Sequence, residues 1–228
     1  IFSIDFFTAA LAIASLLFLV KIPKPIRHDS NAKIDYLFDI KMGLKYIKSH
    51  HFLIPFFTYI AIVMFFVAPA AFLSPLQVVR RFGDEVWRLS AIEIAFSAGM
   101  TVGGLIVGAW GGFKNRIYTM VFSLAFMGLS TMLFGIVGSF WVYIAVMVFM
   151  GLNLPFYNTP AIVMIQEKVE PDYMGRVFSV LGMINSSAMP LGMLFFGPLA
   201  DYIAIEWLML ISGRSEEHTS ELQSRQSI

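Results

Sequence analysis

The sequence contains no cysteine and few charges. Only 14% of its 228 residues are Asp, Glu, Lys or Arg, against 58% hydrophobic, and the mean hydropathy is +0.75. Without cysteine there are no disulfides and no thiolate metal sites. Soluble domains carry about 25% charged residues, so these charges are too few to cover a water-soluble surface. No Gly-x-x-x-x-Gly-Lys-Ser/Thr loop occurs, which leaves the chain without an ATP-binding module. Paired His/Asp or Ser/His side chains at helical spacing are also missing from the apolar stretches, which argues against an intramembrane enzyme. A net charge of +1 gives no electrostatic footprint for nucleic acid, and no cofactor is expected.

The apolar residues come in long blocks. Blocks of roughly 20 residues match the hydrocarbon thickness of a bilayer. A first runs from about Phe6 to Val20 and is stopped by Lys21-Ile-Pro-Lys-Pro25, because proline removes a backbone donor and constrains its predecessor. Because Ile1 opens within an apolar stretch without a basic leader, this block is read as a helix entered partway. Further spans are expected at Phe52–Leu73, Leu89–Trp110, Ile117–Val137, Phe140–Ile165 and Val177–Leu199, with another beginning near Trp207 and cut at Gly213. Short gaps make successive spans antiparallel. The fold class is therefore all-α, a polytopic membrane helix bundle.

Basic residues orient the bundle. Residues 21–51 hold Lys21, Lys24, Arg27, Lys33, Lys41, Lys45 and Lys48, and the turns on the same parity hold Lys114, Arg116, Lys168 and Arg176. The opposite parity holds only Arg80, Arg81 and Arg88, so the eleven-residue side faces the cytoplasm. Within the basic segment, Tyr36, Leu37, Ile40, Leu44 and Ile47 share one helical face beside Lys41, Lys45 and Lys48, while Asp35 and Asp39 project from the far side. That pattern suits a helix lying at the membrane interface, or a solvated linker helix.

A helix, a basic segment of about thirty residues and then closely spaced helices resemble the middle and second half of a major facilitator superfamily transporter. Gly108-Ala-Trp-Gly-Gly-Phe-Lys-Asn-Arg116 resembles a degenerate copy of that family's cytoplasmic glycine-and-basic turn, matching at Gly108 and Arg116, with Lys114 between them. The family's Asp is replaced by Gly112 and its later Gly by Asn115, so the resemblance does not extend to a charge relay. Glu170-Pro-Asp-Tyr-Met-Gly-Arg-Val-Phe-Ser179, with Gly175 and Arg176, and Gly197-Pro-Leu-Ala-Asp201 resemble the drug- and macrolide-efflux branch. Gly-Pro-Leu-Ala-Asp also resembles a cytoplasmic turn, whereas loop parity puts Asp201 on the outer side.

The resemblance implies that residues 1–20 are the last helix of the first half and 21–51 the cytoplasmic linker. Residues 52–213 are then the C-terminal half of a major facilitator fold, with five full spans and a truncated sixth. Residues 214–228 stand apart: Arg214-Ser-Glu-Glu-His-Thr-Ser-Glu-Leu-Gln-Ser224 resembles a translated short-read sequencing adapter and lacks helical patterning. His218 and its neighbouring glutamates are accordingly not read as a metal site.

Four polar residues within the spans are candidates for the transport path. Glu93, Ser97, Met100, Gly104 and Gly108 share a helical face that should look into the bundle, because a carboxylate toward lipid costs at least ~2.5 kcal/mol near mid-membrane. There Glu93 can exchange a proton as a cavity alternates; an interfacial Glu93 reaching headgroups or pairing with Arg88 is the other reading. Gly99 with Gly103, and Gly104 with Gly108, are spaced for close helix approach. Pro155 and Pro160 free carbonyls near mid-span that Asn153, Asn158 and Thr159 can bond, either as a kink or as a cavity lining. Asn185, Ser186 and Ser187 before Pro190 form a second such break. Fourteen Met and 23 Phe suit an adaptable apolar pocket and a lipid-facing surface equally.

The reading is a secondary active exporter of the cell membrane, with lipid, a drug-like or macrolide-type substrate and protons as partners. Export of a siderophore or sugar, or a non-transporting helical scaffold, are the alternatives.

Overall fold

The computed structural model describes residues 36–226, with side chains described over 38–219. The span expected at 6–20 and the basic residues of 21–35 lie outside this range. Seven helices follow one another: α1 (Tyr36–Ser49), α2 (Leu53–Phe82), α3 (Val86–Trp110), α4 (Arg116–Ile136), α5 (Phe140–Lys168), α6 (Pro171–Tyr202) and α7 (Ile205–Gln226). Among the described residues α2 to α6 are long and apolar enough to cross a membrane. The shortest, at 21 residues, is about 31 Å long at 1.5 Å per residue, which matches the hydrocarbon core.

The helices run further than the apolar blocks. α2 passes Leu73 and ends at Phe82, although Pro69 and Pro75 lie inside it. α5 and α6 likewise continue through Pro155, Pro160, Pro190 and Pro198. The proline segments interrupt the sequence pattern but leave the helices unbroken. In lipid a break would strand more backbone groups than the one carbonyl each proline frees, so the helix persists. Hydroxyls and amides bond carbonyls near these prolines: Ser74 Oγ donates to the Ala70 carbonyl, and Asn153 Nδ2 donates to the Phe149 carbonyl at 2.7 Å.

Packing sorts the spans. α3 lies along α5; α4 lies against α5 and α7; α2 lies against α6 and α7. α4 shows why apolarity does not mark the interior here. Its Thr119, Ser123, Ser130 and Thr131 are buried, whereas Phe122, Phe126 and Leu129 are exposed. Lipid is the solvent, so the greasy face turns outward and hydroxyls are satisfied inside, Ser123 Oγ on the Asn153 carbonyl at 2.6 Å.

The ion pairs fall into two groups. Arg80–Asp201 (3.9 Å), Arg81–Glu206 (3.8 Å) and Arg88–Glu85 (2.9 Å) join residues around the α2–α3 and α6–α7 turns. Arg116–Glu167 (2.6 Å) and Arg176–Asp39 (2.9 Å) join the α3–α4 turn, the end of α5, the start of α6 and α1. Asp201 therefore sits at the Arg80 end, the arrangement that loop parity requires. Trp87 and Trp110 mark the two ends of α3, half-exposed as interfacial anchors are.

Two local expectations change. α1 docks on α6 through Asp39, Gly43, Tyr46 and Ile47, roughly a quarter-turn away from the lysine-flanked stripe. Tyr46 stacks on Tyr173 at 4.3 Å, and its hydroxyl accepts from the Glu170 backbone N–H at 3.2 Å. A Cβ at Gly43 would lie 2.9 Å from the Arg176 carbonyl oxygen, so only glycine lets α1 approach this closely. Leu44 stays exposed beside the lysines, so α1 has one face against α6 and one uncovered. The second change is that α7 continues through residues 214–226 as helix, where no helical patterning was expected.

Candidate functional site

Apolar residues are spread around α3, so its hydrophobic pattern does not declare a buried face. Burial follows the small residues instead: Ile92, Ala95, Gly99, Gly103 and Val107 form the seam against α5. A Cβ added at Gly99, Gly103 or Gly151 would fall well inside 3.0 Å of the Val148, Leu152 or Phe96 carbonyl oxygen, respectively. The three glycines thus bring two backbones together, as small residues four apart allow.

The face bearing Glu93 is not this seam. Glu93, Ser97, Met100, Gly104 and Gly108 are all exposed, and a Cβ at Gly104 or Gly108 would meet nothing within 4 Å. Among the described helices this face is left uncovered: glycine, not polarity, decides which side of α3 packs on α5. Arg88 pairs with Glu85 at 2.9 Å rather than with Glu93, which has no ion-pair or hydrogen-bond partner among the described residues. Ile94, Val102 and Leu105 are exposed to the other side of the seam, and the exposed hydroxyls of Ser90 and Thr101 bond carbonyls of their own helix. α3 therefore carries a lipid-type face and a separate polar, small-residue face, both uncovered here.

The three asparagines divide. Asn153 is buried, and its amide is committed to the Phe149 carbonyl of its own helix, so it does not bond the carbonyls freed by Pro155 and Pro160. Asn158 and Thr159 are exposed on α5; Asn185, Ser186 and Ser187 are exposed on α6. Neither Asn158 nor Asn185 has a side-chain hydrogen bond among the described residues. Glu93, Asn158 and Asn185 thus share a condition, on three different helices: polar, uncovered and unpartnered. Beyond Tyr118 at its start, the exposed side chains of α4 are Phe122, Phe126, Leu129 and Ile136, all apolar.

At the other candidate positions the geometry is that of turns. Gly111 and Gly112 have φ of 75° and 81°, the left-handed region that glycine enters at no steric cost, and they close α3. Gly112, standing where the family has Asp, is thus part of a backbone device. Asn115 caps α4, its side chain accepting from the Ile117 N–H at 3.1 Å. Arg116 reaches across to Glu167, while Lys114 is exposed and unpaired among the described residues. Arg176 joins Asp39 and lies over the Tyr173 ring at 5.7 Å, with Gly175 open beside it.

Sequence reasoning missed a buried polar relay between α2, α4 and α5. The Tyr143 hydroxyl donates to Gln77 Oε1 at 3.1 Å, and Gln77 Nε2 donates to the Phe134 carbonyl at 2.8 Å. Gln77 lay beyond the expected end of its span, so it read as loop; a glutamine two residues after Ser74-Pro75 in an otherwise apolar run was the available signal. Tyr59 and Tyr157 were also passed over. Both are buried with hydroxyls lacking a hydrogen-bond partner, and their rings lie 6.4 Å apart between α2 and α5.

A family model for the Major Facilitator Superfamily matches residues 1–193. Macrolide efflux protein A of Streptococcus pyogenes is 31% identical over 215 residues, covering 93% of this chain and 53% of that protein. Macrolide efflux protein A of Enterococcus faecalis is 31% identical over 195 residues, 85% of this chain and 60% of that protein. The chain therefore spans about half the length of the curated relatives it matches. With the family match covering most of its length and its helices forming a multi-pass membrane bundle, the chain belongs to the Major Facilitator Superfamily.

Proposed function

We propose that this chain supplies the second half of a secondary active exporter of the cell membrane, moving a drug-like or macrolide-type compound outward in exchange for protons by alternating access. In this reading residues 1–20 end the first half, 21–51 form the cytoplasmic linker, 52–213 are the second half, and 214–228 are an artefactual tail. The similarity to two macrolide efflux proteins supports the cargo class. One observation carries the mechanism: among the described residues Glu93, Asn158 and Asn185 are exposed and unpartnered on α3, α5 and α6, whereas the exposed face of α4 beyond Tyr118 is apolar. A carboxylate left facing lipid is costly, so such a face belongs against a partner surface or a water-filled path. The other half of a major facilitator fold supplies both. Glu93 is then the proton carrier, and Asn158 and Asn185 offer amides to a passing substrate.

The test uses the full-length transporter carrying this sequence in everted vesicles. Glu93→Gln should abolish efflux driven by a pH gradient while membrane insertion and expression stay normal. Unaltered pH-driven efflux in Glu93→Gln would remove Glu93 from the mechanism. The 228 residues alone should show no transport above empty vesicles.

A further inference from the structure

A cavity of about 1410 Å³ opens at the end of the bundle where α2 and α4 begin and α5 finishes. Glu93, Asn153, Asn158 and Asn185 do not line it, so it is separate from the path proposed above. Its rim is basic, with His51, Lys114, Arg116 and Lys168 around the opening. Its inner wall is apolar, formed by Phe56, Ile62, Ile117 and Met164, with Tyr59 set into it. Arg116 is engaged by Glu167 at 2.6 Å. Lys114 and Lys168 have no acidic partner among the described residues, so the rim holds positive charge that the protein leaves uncompensated.

We propose that this cavity is a binding site for a phosphate-bearing amphiphile, namely an anionic phospholipid of the adjacent leaflet. Lys114 and Lys168 hold the headgroup phosphate, with Thr58 and Asn115 as further polar groups in the lining. One acyl chain lies along α2 from Ile54 to Ile62, a wall about 12 Å deep. Basic pockets between membrane helices recruit anionic headgroups in this way. The acyl chain gains little by leaving lipid for an apolar wall, so discrimination rests on the headgroup. Each unpaired lysine contributes roughly a fivefold preference, giving about thirtyfold for the two. Thr219 closes one side and is not needed for the headgroup contacts.

Native mass spectrometry of the 228-residue chain in detergent reads this directly, with phosphatidylglycerol and phosphatidylcholine of identical acyl chains as probes. Phosphatidylglycerol should be retained about thirtyfold more strongly. Lys114→Gln with Lys168→Gln should bring it down to the phosphatidylcholine level. Both lysines are exposed, so the double variant leaves the core alone. Ile62→Trp, which fills the wall and keeps the rim, should also weaken retention. Equal retention of the two lipids by the unmodified chain, or a double variant that still prefers phosphatidylglycerol, would overturn the proposal. Displacement of phosphatidylglycerol by millimolar inorganic phosphate would overturn it too, by assigning the rim to a free anion.

Discussion

Adding one methyl group at Gly99 should separate α3 from α5. A Cβ there would sit well inside 3.0 Å of the Val148 carbonyl oxygen, and the neighbouring atoms are Val148 and Leu152 backbone, which cannot swing aside. The helices must move apart by on the order of 1 Å, and a gap of that size forfeits a quarter to a half of each contact's attraction along the seam. Overpacking of this kind costs ~1–3 kcal/mol, roughly a five- to 150-fold shift in the folding equilibrium. Gly103→Ala should behave alike, since its Cβ would meet the Leu152 carbonyl. Gly104→Ala and Gly108→Ala are the controls: neither Cβ meets anything within 4 Å, so they should be neutral or slightly stabilising. Unfolding of the chain in mixed detergent micelles can be followed by the fluorescence of Trp87 and Trp110, which flank the seam. Equal losses at both glycine pairs, or none at Gly99, would refute the assignment of the α3 packing face.

Two further outcomes concern α1 and α7. Tyr46→Ala removes the stack on Tyr173 and the acceptor for the Glu170 N–H, so hydrogen exchange should rise across 36–49 while α4 and α5 stay protected. The Asp39–Arg176 pair alone should not hold α1, because both side chains are partly exposed and such pairs contribute about 0–1 kcal/mol. Glu216 is buried on α7 against α4, with Oε1 3.5 Å from Thr131 Oγ1 and Oε2 unbonded. Glu216→Leu should therefore stabilise the chain by ~1–3 kcal/mol in the same unfolding assay; a loss of stability would show that the carboxylate has a structural role.

The existence of each described span was legible because some twenty consecutive apolar residues have one common solution in lipid. Their ends were less so. The second span was expected to end at Leu73, yet the backbone of α2 continues through Pro75 to Phe82, since a membrane helix absorbs a proline more cheaply than a break. The faces were hardest to read, for a physical reason. In water, apolarity marks the buried side; in lipid, Phe122 and Phe126 face out while Ser123 and Thr131 face in. On α3 this left the glycines as the better guide, and the pair at Gly99 and Gly103 was as visible in sequence as the pair at Gly104 and Gly108. Only the position of α5, far along the chain, decides between them. The polarity of Glu93 was plain from sequence; that its face stays uncovered depends on where six other helices lie.

Loop sidedness underlies the whole account, and the absence of cysteine makes it directly measurable. Single cysteines at Asp84, in the α2–α3 turn, and at Lys114, in the α3–α4 turn, can be probed in intact cells with a membrane-impermeant maleimide. Asp84→Cys should react from outside, and Lys114→Cys should react only after the membrane is opened. Equal labelling of both positions in sealed cells would contradict the antiparallel map and the exporter built on it.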